Sequence, residues 1–345
     1  MSETNVTIPK GSLILVTGAN SYLASHVILQ FLQRGYKVRG TVRDIEKTSW
    51  LVQDLFKTAS ESGNFELIQV SNFITPNAFN EAVKGVSAVI HVATLGLDPN
   101  PNNVLPQIVV ATNSILESAS KEPSVKEFVY TSSIATMVIP SMDQVHLTSD
   151  SWNDAVVELA WAPPPYEPSR AYIVYAAGKT IAEKALWEFV EKRTPHFNVN
   201  SIIPASIMGE CLSKSHVELP QMFVKALYDG NLVALQQLLT TPGTIHTDVK
   251  DTALLHVAAA LDPEIKNERL FSWGESCTWN EILALMRAAA PARKFVDDLP
   301  GERLKLTADD GKSLDLLKKW SGQEGWTPLI ETITDNMTNI MKWFP

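Results

Sequence analysis

Cysteine is scarce: Cys211 and Cys277 are the only two in 345 residues. That is too few for a disulfide framework, and both are expected as reduced thiols. No stretch approaches ~20 uninterrupted apolar residues, and the polar start Met1–Lys10 lacks the apolar centre of a signal peptide. Neither a membrane span nor a secretory leader is expected, and the cytoplasm is the default location. Basic charge is short as well, with 29 Lys and Arg against 38 Asp and Glu and a formal net charge of −9. A broad surface for nucleic acid or anionic lipid normally shows the opposite balance. The seven histidines are scattered, none at metal-ligand spacing with a cysteine or carboxylate, so no metal is implied. What remains is an ordinary globular composition, 45% apolar and 19% charged, in a chain long enough for a large core.

The first two thirds alternate short β-rich runs with helix-period segments, the pattern of a parallel sheet covered by helices on both faces. Strands are expected at Leu13–Thr17, Lys37–Thr41, Phe65–Val70, Ala88–Val92, Glu127–Thr131 and Asn198–Ile203. Helices are expected at Ser25–Gln33, Ile45–Thr58, Asn77–Val83, Leu105–Ala119 and Tyr172–Lys192. The fold class is therefore α/β, a Rossmann-type doubly wound sheet. Beyond Pro204 the order breaks. A helical patch Gln221–Leu239 precedes Thr247–Ala260, which reads as a return to the main domain. Strand-like Leu270–Trp273 and helical Trp279–Ala289 and Pro328–Phe344 suit a smaller C-terminal substrate-binding lobe. The division expected is 1–204 plus 245–265 for the nucleotide domain and 205–244 plus 266–345 for the lobe. The insertion Ser141–Ser169, with Trp152, Trp161 and Pro163-Pro164-Pro165, is a long irregular loop, a class that is usually functional or mobile.

Between the first strand and the first helix lies Thr17-Gly18-Ala19-Asn20-Ser21-Tyr22-Leu23-Ala24. In a dinucleotide-binding fold this turn holds a pyrophosphate at the helix N-terminus, which makes Gly18, Asn20, Ser21, Tyr22 and Leu23 candidates for cofactor contact. Only one glycine of the usual three survives, with Ser21 and Ala24 in the other places. The Ser21 hydroxyl either donates to phosphate or forces the cofactor to sit higher. The alternative is an ordinary strand-to-helix turn. The second strand ends Gly40-Thr41-Val42-Arg43, without the carboxylate that would take the ribose 2′-hydroxyl of NAD. Arg43 can instead face a 2′-phosphate, and Lys47, one turn into the following helix, can add charge, which points to NADP(H). A surface Arg43–Asp44 pair is the other reading. Asn72 and Phe73, after the third strand, stand where an adenine ring would lie, and the Asn72 amide offers an acceptor and donors.

Tyr175-Ala176-Ala177-Gly178-Lys179 places a phenol and an ammonium one helical turn apart on the same face. A phenol ordinarily titrates near ~10, and a neighbouring ammonium and an oxidised nicotinamide would lower it so that Tyr175 can serve as acid or base. Ser133, at the end of the fifth strand in Thr131-Ser132-Ser133, can donate to a carbonyl oxygen as it becomes an alkoxide. Ser133 lacks the glycine-flanked elbow of a hydrolase nucleophile.

With these motifs the sequence resembles the extended short-chain dehydrogenase/reductases. More narrowly, it is similar to the dihydroflavonol-reductase-like branch that includes fungal NADPH-dependent aldehyde and carbonyl reductases. The resemblance runs through nearly the whole chain, including His91-Val92-Ala93-Thr94 and Asp248-Val249-Lys250-Asp251. It implies that Ser133, Tyr175 and Lys179 are catalytic, with Tyr175 and Lys179 also touching the cofactor. It further implies that Val92, Ala93 and Thr94 run along the ribose and phosphate, and that Pro204, Ala205, Ser206 and Ile207 touch the nicotinamide amide. Leu95 would line the substrate pocket beside Ser133, and so would Met137, Met208, Met222 and Phe223, though each of these four is as well explained as plain core. The departures are Ser21 for a glycine, Asn72 for an acidic residue, and Gly178 for the commoner serine, the last expected to add only helix flexibility. The function implied is reduction of a fairly large apolar aldehyde or ketone by a monomer or homodimer whose partner is that small molecule, not nucleic acid or a membrane. An NADP(H)-binding redox sensor and a non-redox isomerase or epimerase are the alternatives on the same fold.

Overall fold

The computed structural model describes residues 5–218, 223–231 and 241–345. The chain divides into two compact units. The first takes Met1–Ile139, Ser151–Ile203 and His256–Leu270, and the second Pro140–Asp150, Pro204–Leu255 and Phe271–Pro345.

The first unit is built on β1 (Leu13–Thr17), β2 (Lys37–Val42), β3 (Phe65–Gln69), β4 (Ala88–His91) and β5 (Glu127–Thr131). After β6 (Val145–Leu147), the chain adds β7 (Asn198–Pro204). With β10 (Arg269–Ser272) these form a seven-stranded sheet in the order β3-β2-β1-β4-β5-β7-β10. The pairs β2·β3, β1·β2, β1·β4, β4·β5 and β5·β7 are all parallel. The doubly wound α/β sheet is therefore present, and the strand order turns back between β1 and β4. At such a reversal the strand-end loops diverge and leave a crevice at the carboxyl ends.

The residue pattern explains the layering. Every residue of β4 and of β5 is buried, as required of parallel strands covered on both faces. The covering helices are α1 (Tyr22–Gln33), α2 (Lys57–Glu61), α3 (Pro101–Ser120), α4 (Ala155–Ala160) and α5 (Ala171–Arg193). Asn100 caps α3 by accepting from Asn102 N, and Pro101 takes the first helical position, where its missing N–H costs nothing. α5 carries Val174, Ala176, Ala177 and Ala182 into one core with Ile115, Leu116 and Phe128. A Cβ on Gly178 would lie 3.0 Å from Ile108 Cδ1 of α3. Gly178 thus has a packing role as well as the flexibility expected of it.

Three expected elements differ. Ile45–Thr58 is not one helix: turns run to Ser49, followed by a wide helical turn Leu51–Leu55 and then α2. Asn77–Val83 is a chain of turns with Asn77 at φ 62°, because a left-handed residue cannot start a right-handed helix. The strand expected at Leu270–Trp273 is Arg269–Ser272, β10 at the edge of the large sheet.

In the second unit β9 (Thr244–Asp248) lies between β8 (Ser206–Met208) and β11 (Ser276–Cys277). The insertion expected to be irregular contributes β6, which pairs in parallel with β12 (Leu306–Ala308). Thr332 Oγ1 donates to Asp248 Oδ2 at 2.8 Å and Thr327 N to Asp251 Oδ2 at 2.7 Å, so two buried carboxylates anchor the helix Leu329–Trp343 and its approach. Of the helical patch expected at Gln221–Leu239, Phe223–Asp229 is helix, while 221–222 and 232–239 lie outside the described residues. Among the described residues no helix is long and apolar enough to cross a membrane.

Candidate active site

The turns after β1 and β4 converge at the strand-order reversal. Gly18 adopts φ +67°, and a Cβ there would stand 3.2 Å from Ala93 Cβ, so glycine is required by both conformation and space. Gly18 N and Ala19 N donate to Thr41 Oγ1 and Thr41 O at 3.2 and 2.9 Å, fixing the turn to the end of β2. Thr17 Oγ1 accepts from Val92 N and Ala93 N, each at 3.0 Å. Its proton is then left for His91 Nδ1, 2.9 Å away, which puts the imidazole proton on Nε2. Burial, and then the charge of Lys179, push His91 down to about 3, so the ring is neutral. Thr17 and His91 were not expected at this site, and nothing in their spacing marks them.

Ser21 sits at the N-cap of α1 with extended backbone, yet its side chain caps nothing. Its Oγ is buried without a hydrogen-bond partner, a state that costs about 1–3 kcal/mol and that a phosphate oxygen could relieve. Asn20 is exposed, whereas Tyr22 and Leu23 are buried in the first turn of α1. What those two can offer a ligand is backbone, not side chain. Arg43 is exposed and makes no ion pair among the described residues. The expected alternative, an Arg43–Asp44 pair, is not formed: Asp44 takes Lys47 instead, through Lys47 N at 3.1 Å and Nζ at 3.5 Å. Lys47 accordingly lies in a turn rather than a helix, with its charge directed at Asp44. Asn72 Oδ1 accepts from Ile74 N at 3.2 Å, so the amide oxygen holds its own turn, and its second lone pair and the NH₂ donors remain. Phe73 and Leu95 pack half-buried on the core, Val92 and Ala93 are half-buried, and Thr94 is exposed. The glycine cradle, the unpartnered Ser21 hydroxyl and the unpaired Arg43 guanidinium together fit a dinucleotide carrying an extra phosphate.

At the end of β5, side chains alternate between faces. Thr131 Oγ1 meets His256 Nε2 at 2.8 Å. Ser132 Oγ donates to Glu183 Oε2 at 2.5 Å. Ser133 is buried, and its Oγ accepts from Ala135 N at 3.2 Å, starting the short turn Ile134–Thr136. The Tyr175 phenol lies near enough to this hydroxyl for Ser133 to lower its titration, so Ser133 and Tyr175 come together. Burial raises Tyr175 above its ordinary value, and Ser133 only partly opposes this.

Lys179 is buried and donates from Nζ to Thr131 O at 2.5 Å, with the ammonium 4.9 Å from the centre of the Tyr130 ring. The net lowering of Tyr175 expected beside this lysine is not seen, because burial raises the phenol. Desolvation brings Lys179 down to about 8, with Glu183 opposing.

Glu183, one turn further along α5, has no exposed surface. Its carboxylate accepts from Ser132 Oγ, from Ser201 Oγ at 2.7 Å, and from Arg269 Nε and Nη2 at 2.9 and 3.2 Å. Burial would raise this carboxyl, but Arg269 and the two hydroxyls hold it below the ordinary value. Arg269 also donates to Ser151 O at 3.0 Å and lies 3.9 Å over Trp152. The sequence reading missed both members of this pair, although the spacing of four residues after Lys179 was visible for Glu183.

Of the remaining candidates, Met137 is buried in the first unit. Pro204, Ala205, Ser206, Ile207, Met208 and Phe223 belong to the second. There Ala205 N donates to Ser272 O at 3.1 Å, Ser206 Oγ pairs with Thr244 Oγ1 at 2.6 Å, and Met208 is buried. Ile207 is half-buried, and Phe223 meets Trp279 edge-on at 5.6 Å.

A doubly wound sheet with a glycine-turn cradle at its reversal and a Ser133–Tyr175–Lys179 grouping on β5 and α5 defines a class, the extended short-chain dehydrogenase/reductase-like proteins. The chain belongs to the 3-beta hydroxysteroid dehydrogenase/isomerase family, whose model matches residues 15–222. It is 33% identical to Aldehyde reductase 2 of Sporidiobolus salmonicolor, covering 96% of each chain. It is also 33% identical to the NAD-dependent epimerase/dehydratase tndE of Aspergillus flavipes, covering 95% of this chain and 93% of that one. The crystal structure of Gre2 from Candida albicans in complex with NADPH shares the fold, with a TM-score of 0.80, 22% identity, and 98% and 100% of the two chains covered.

The buried His91 ties stability to pH. Its folded value lies below its unfolded one, so its contribution is complete above about 6.5 and declines as pH falls toward about 3. Between pH 7 and 5 the wild type is expected to lose about 2 kcal/mol more than His91→Asn, whose amide oxygen can still accept from Thr17. Urea unfolding at the two pH values measures this, and equal losses would contradict a neutral buried ring.

Proposed function

We propose that this chain is an NADPH-dependent reductase of aldehydes or ketones. The observation that carries the reading is the nearness of the Ser133 hydroxyl to a Tyr175 phenol that burial holds above its ordinary value. Gly18, the Ser21 hydroxyl, and backbone at Tyr22, Leu23, Val92 and Ala93 would hold the cofactor phosphates. Arg43 would take the extra phosphate and the Asn72 amide donors the adenine edge. When bound, NADPH supplies the hydride. The Ser133 and Tyr175 hydroxyls hold the substrate carbonyl oxygen, and Tyr175 Oη gives up its proton as that oxygen gains negative charge. Lys179 provides the nearby positive charge that stabilises the phenolate left behind. Half-buried Leu95 and Tyr172, whose ring lies 6.1 Å from that of Tyr175, and buried Met137 make the surroundings apolar. They favour a fairly large apolar carbonyl compound. A dehydratase reading, suggested by the name of the Aspergillus flavipes relative, needs an acid–base pair beside the strand-end hydroxyl. Here Ile134 and Ala135 follow Ser133.

Two variants test this. Tyr175→Phe should lower kcat on any accepted carbonyl compound by about 10²–10⁴-fold while NADPH still binds, as read by steady-state rates and by titration of NADPH fluorescence. Wild-type turnover in that variant would refute the assignment. Arg43→Ser should weaken NADPH binding by about 10–100-fold, the worth of one charge-assisted bond to phosphate, and leave NADH binding nearly unchanged. Equal losses for both nucleotides would remove Arg43 from the phosphate site.

A further inference from the structure

We propose that Glu183 is a positioning residue that keeps Lys179 charged and the end of β5 in place, a role that rests on the reductase reading above. Three observations meet at this carboxylate. It lies one turn beyond Lys179 on the same face of α5. It accepts from Ser132 Oγ, the side chain immediately before Ser133, and from Ser201 Oγ on β7. It pairs with Arg269, whose side chain is 8% exposed while that of Glu183 is fully buried.

A structural ion pair would need only Arg269. The extra bond from Ser132 runs to the strand end that carries Ser133 and supplies, through Thr131 O, the acceptor for Lys179, while that from Ser201 ties the carboxylate to β7. An ammonium with no contact to bulk water loses its proton readily unless an anion compensates. The groups facing Lys179 can be named by element. From β5 come the Tyr130 ring and Thr131 O, and from β4 the neutral His91. From α5 come Tyr175 and Glu183. α3, packed on α5, has one ionisable side chain, the exposed Glu117, and α4 has one, the exposed Glu158. Glu183 is therefore the one buried anion among these groups. Burial alone brings Lys179 toward neutral titration, and Glu183 works against it.

The test follows the Lys179 ammonium itself, by titrating the ¹³Cε resonance of labelled lysine in the full chain, assigned with Lys179→Arg. In Glu183→Gln the midpoint should fall by at least about one pH unit, with Glu183→Asp nearer to wild type. The double variant Glu183→Gln/Arg269→Gln, which leaves no unpaired guanidinium in the core, should fold and still show a lowered midpoint. The alkaline limb of kcat against pH should move to lower pH by the same amount, so that turnover at the wild-type midpoint drops several-fold and recovers at lower pH. A merely structural glutamate would lower activity at every pH without moving that limb. An unmoved Lys179 midpoint in both Gln variants would overturn the proposal, even with a fully active wild type. Absence of turnover in the wild type would count instead against the reductase reading, since the lysine titration needs no substrate.

Discussion

Tyr175, Lys179 and Glu183 occupy successive turns of α5 and press against the end of β5, and the burial of Lys179 and Glu183, with Tyr175 half-buried beside them, constrains the first unit most tightly. Each could be exposed at no cost on a surface helix. Here each meets the same short stretch at the end of β5: the phenol lies near Ser133, Thr131 O accepts from the ammonium, and Ser132 donates to the carboxylate. A shift of α5 by one turn would strand all three. Burying a charge without its partner costs several kcal/mol, so the helix and strand have one low-energy register, and the proposed chemistry would rest on the contacts that set it.

The nucleotide end follows similar logic with weaker forces. Thr17 gathers Val92 N, Ala93 N and His91 around one hydroxyl, which brings the turn after β4 against Gly18. The cradle is thus held by a buried neutral histidine and a threonine rather than by glycine alone. This offers a physical reason why a turn retaining only one glycine of three can keep its shape. The cost has moved to Ser21, whose buried hydroxyl lacks a partner.

The strands and the Tyr175–Lys179 spacing were legible because period and position are local properties of sequence. β1 and β5 begin and end where the apolar runs do. Asn77–Val83 was misread because its apolar spacing fits a helix while a left-handed residue at its start forbids one. The pairing of β10 with the large sheet was not legible, because strand pairing is a long-range choice that a four-residue run cannot encode. Within the site, Arg43 was readable by its place after β2, but the turning of Lys47 to Asp44 was not, since that depends on where the following turn points. Arg269 was invisible because its partner Glu183 lies far away in sequence. The neutrality of His91 follows from burial in the fold and the nearby charge of Lys179, neither of which is local in sequence.

The central claim is that hydride passes directly to a carbonyl carbon held at Ser133 and Tyr175. The most direct measurement supplies NADPH deuterated at the transferring position of the nicotinamide, together with an accepted ketone, and locates the label in the product alcohol by mass spectrometry and NMR. The account predicts one deuterium on the carbinol carbon and none on oxygen. A product carrying no deuterium at that carbon, formed with the cofactor label intact, would contradict it.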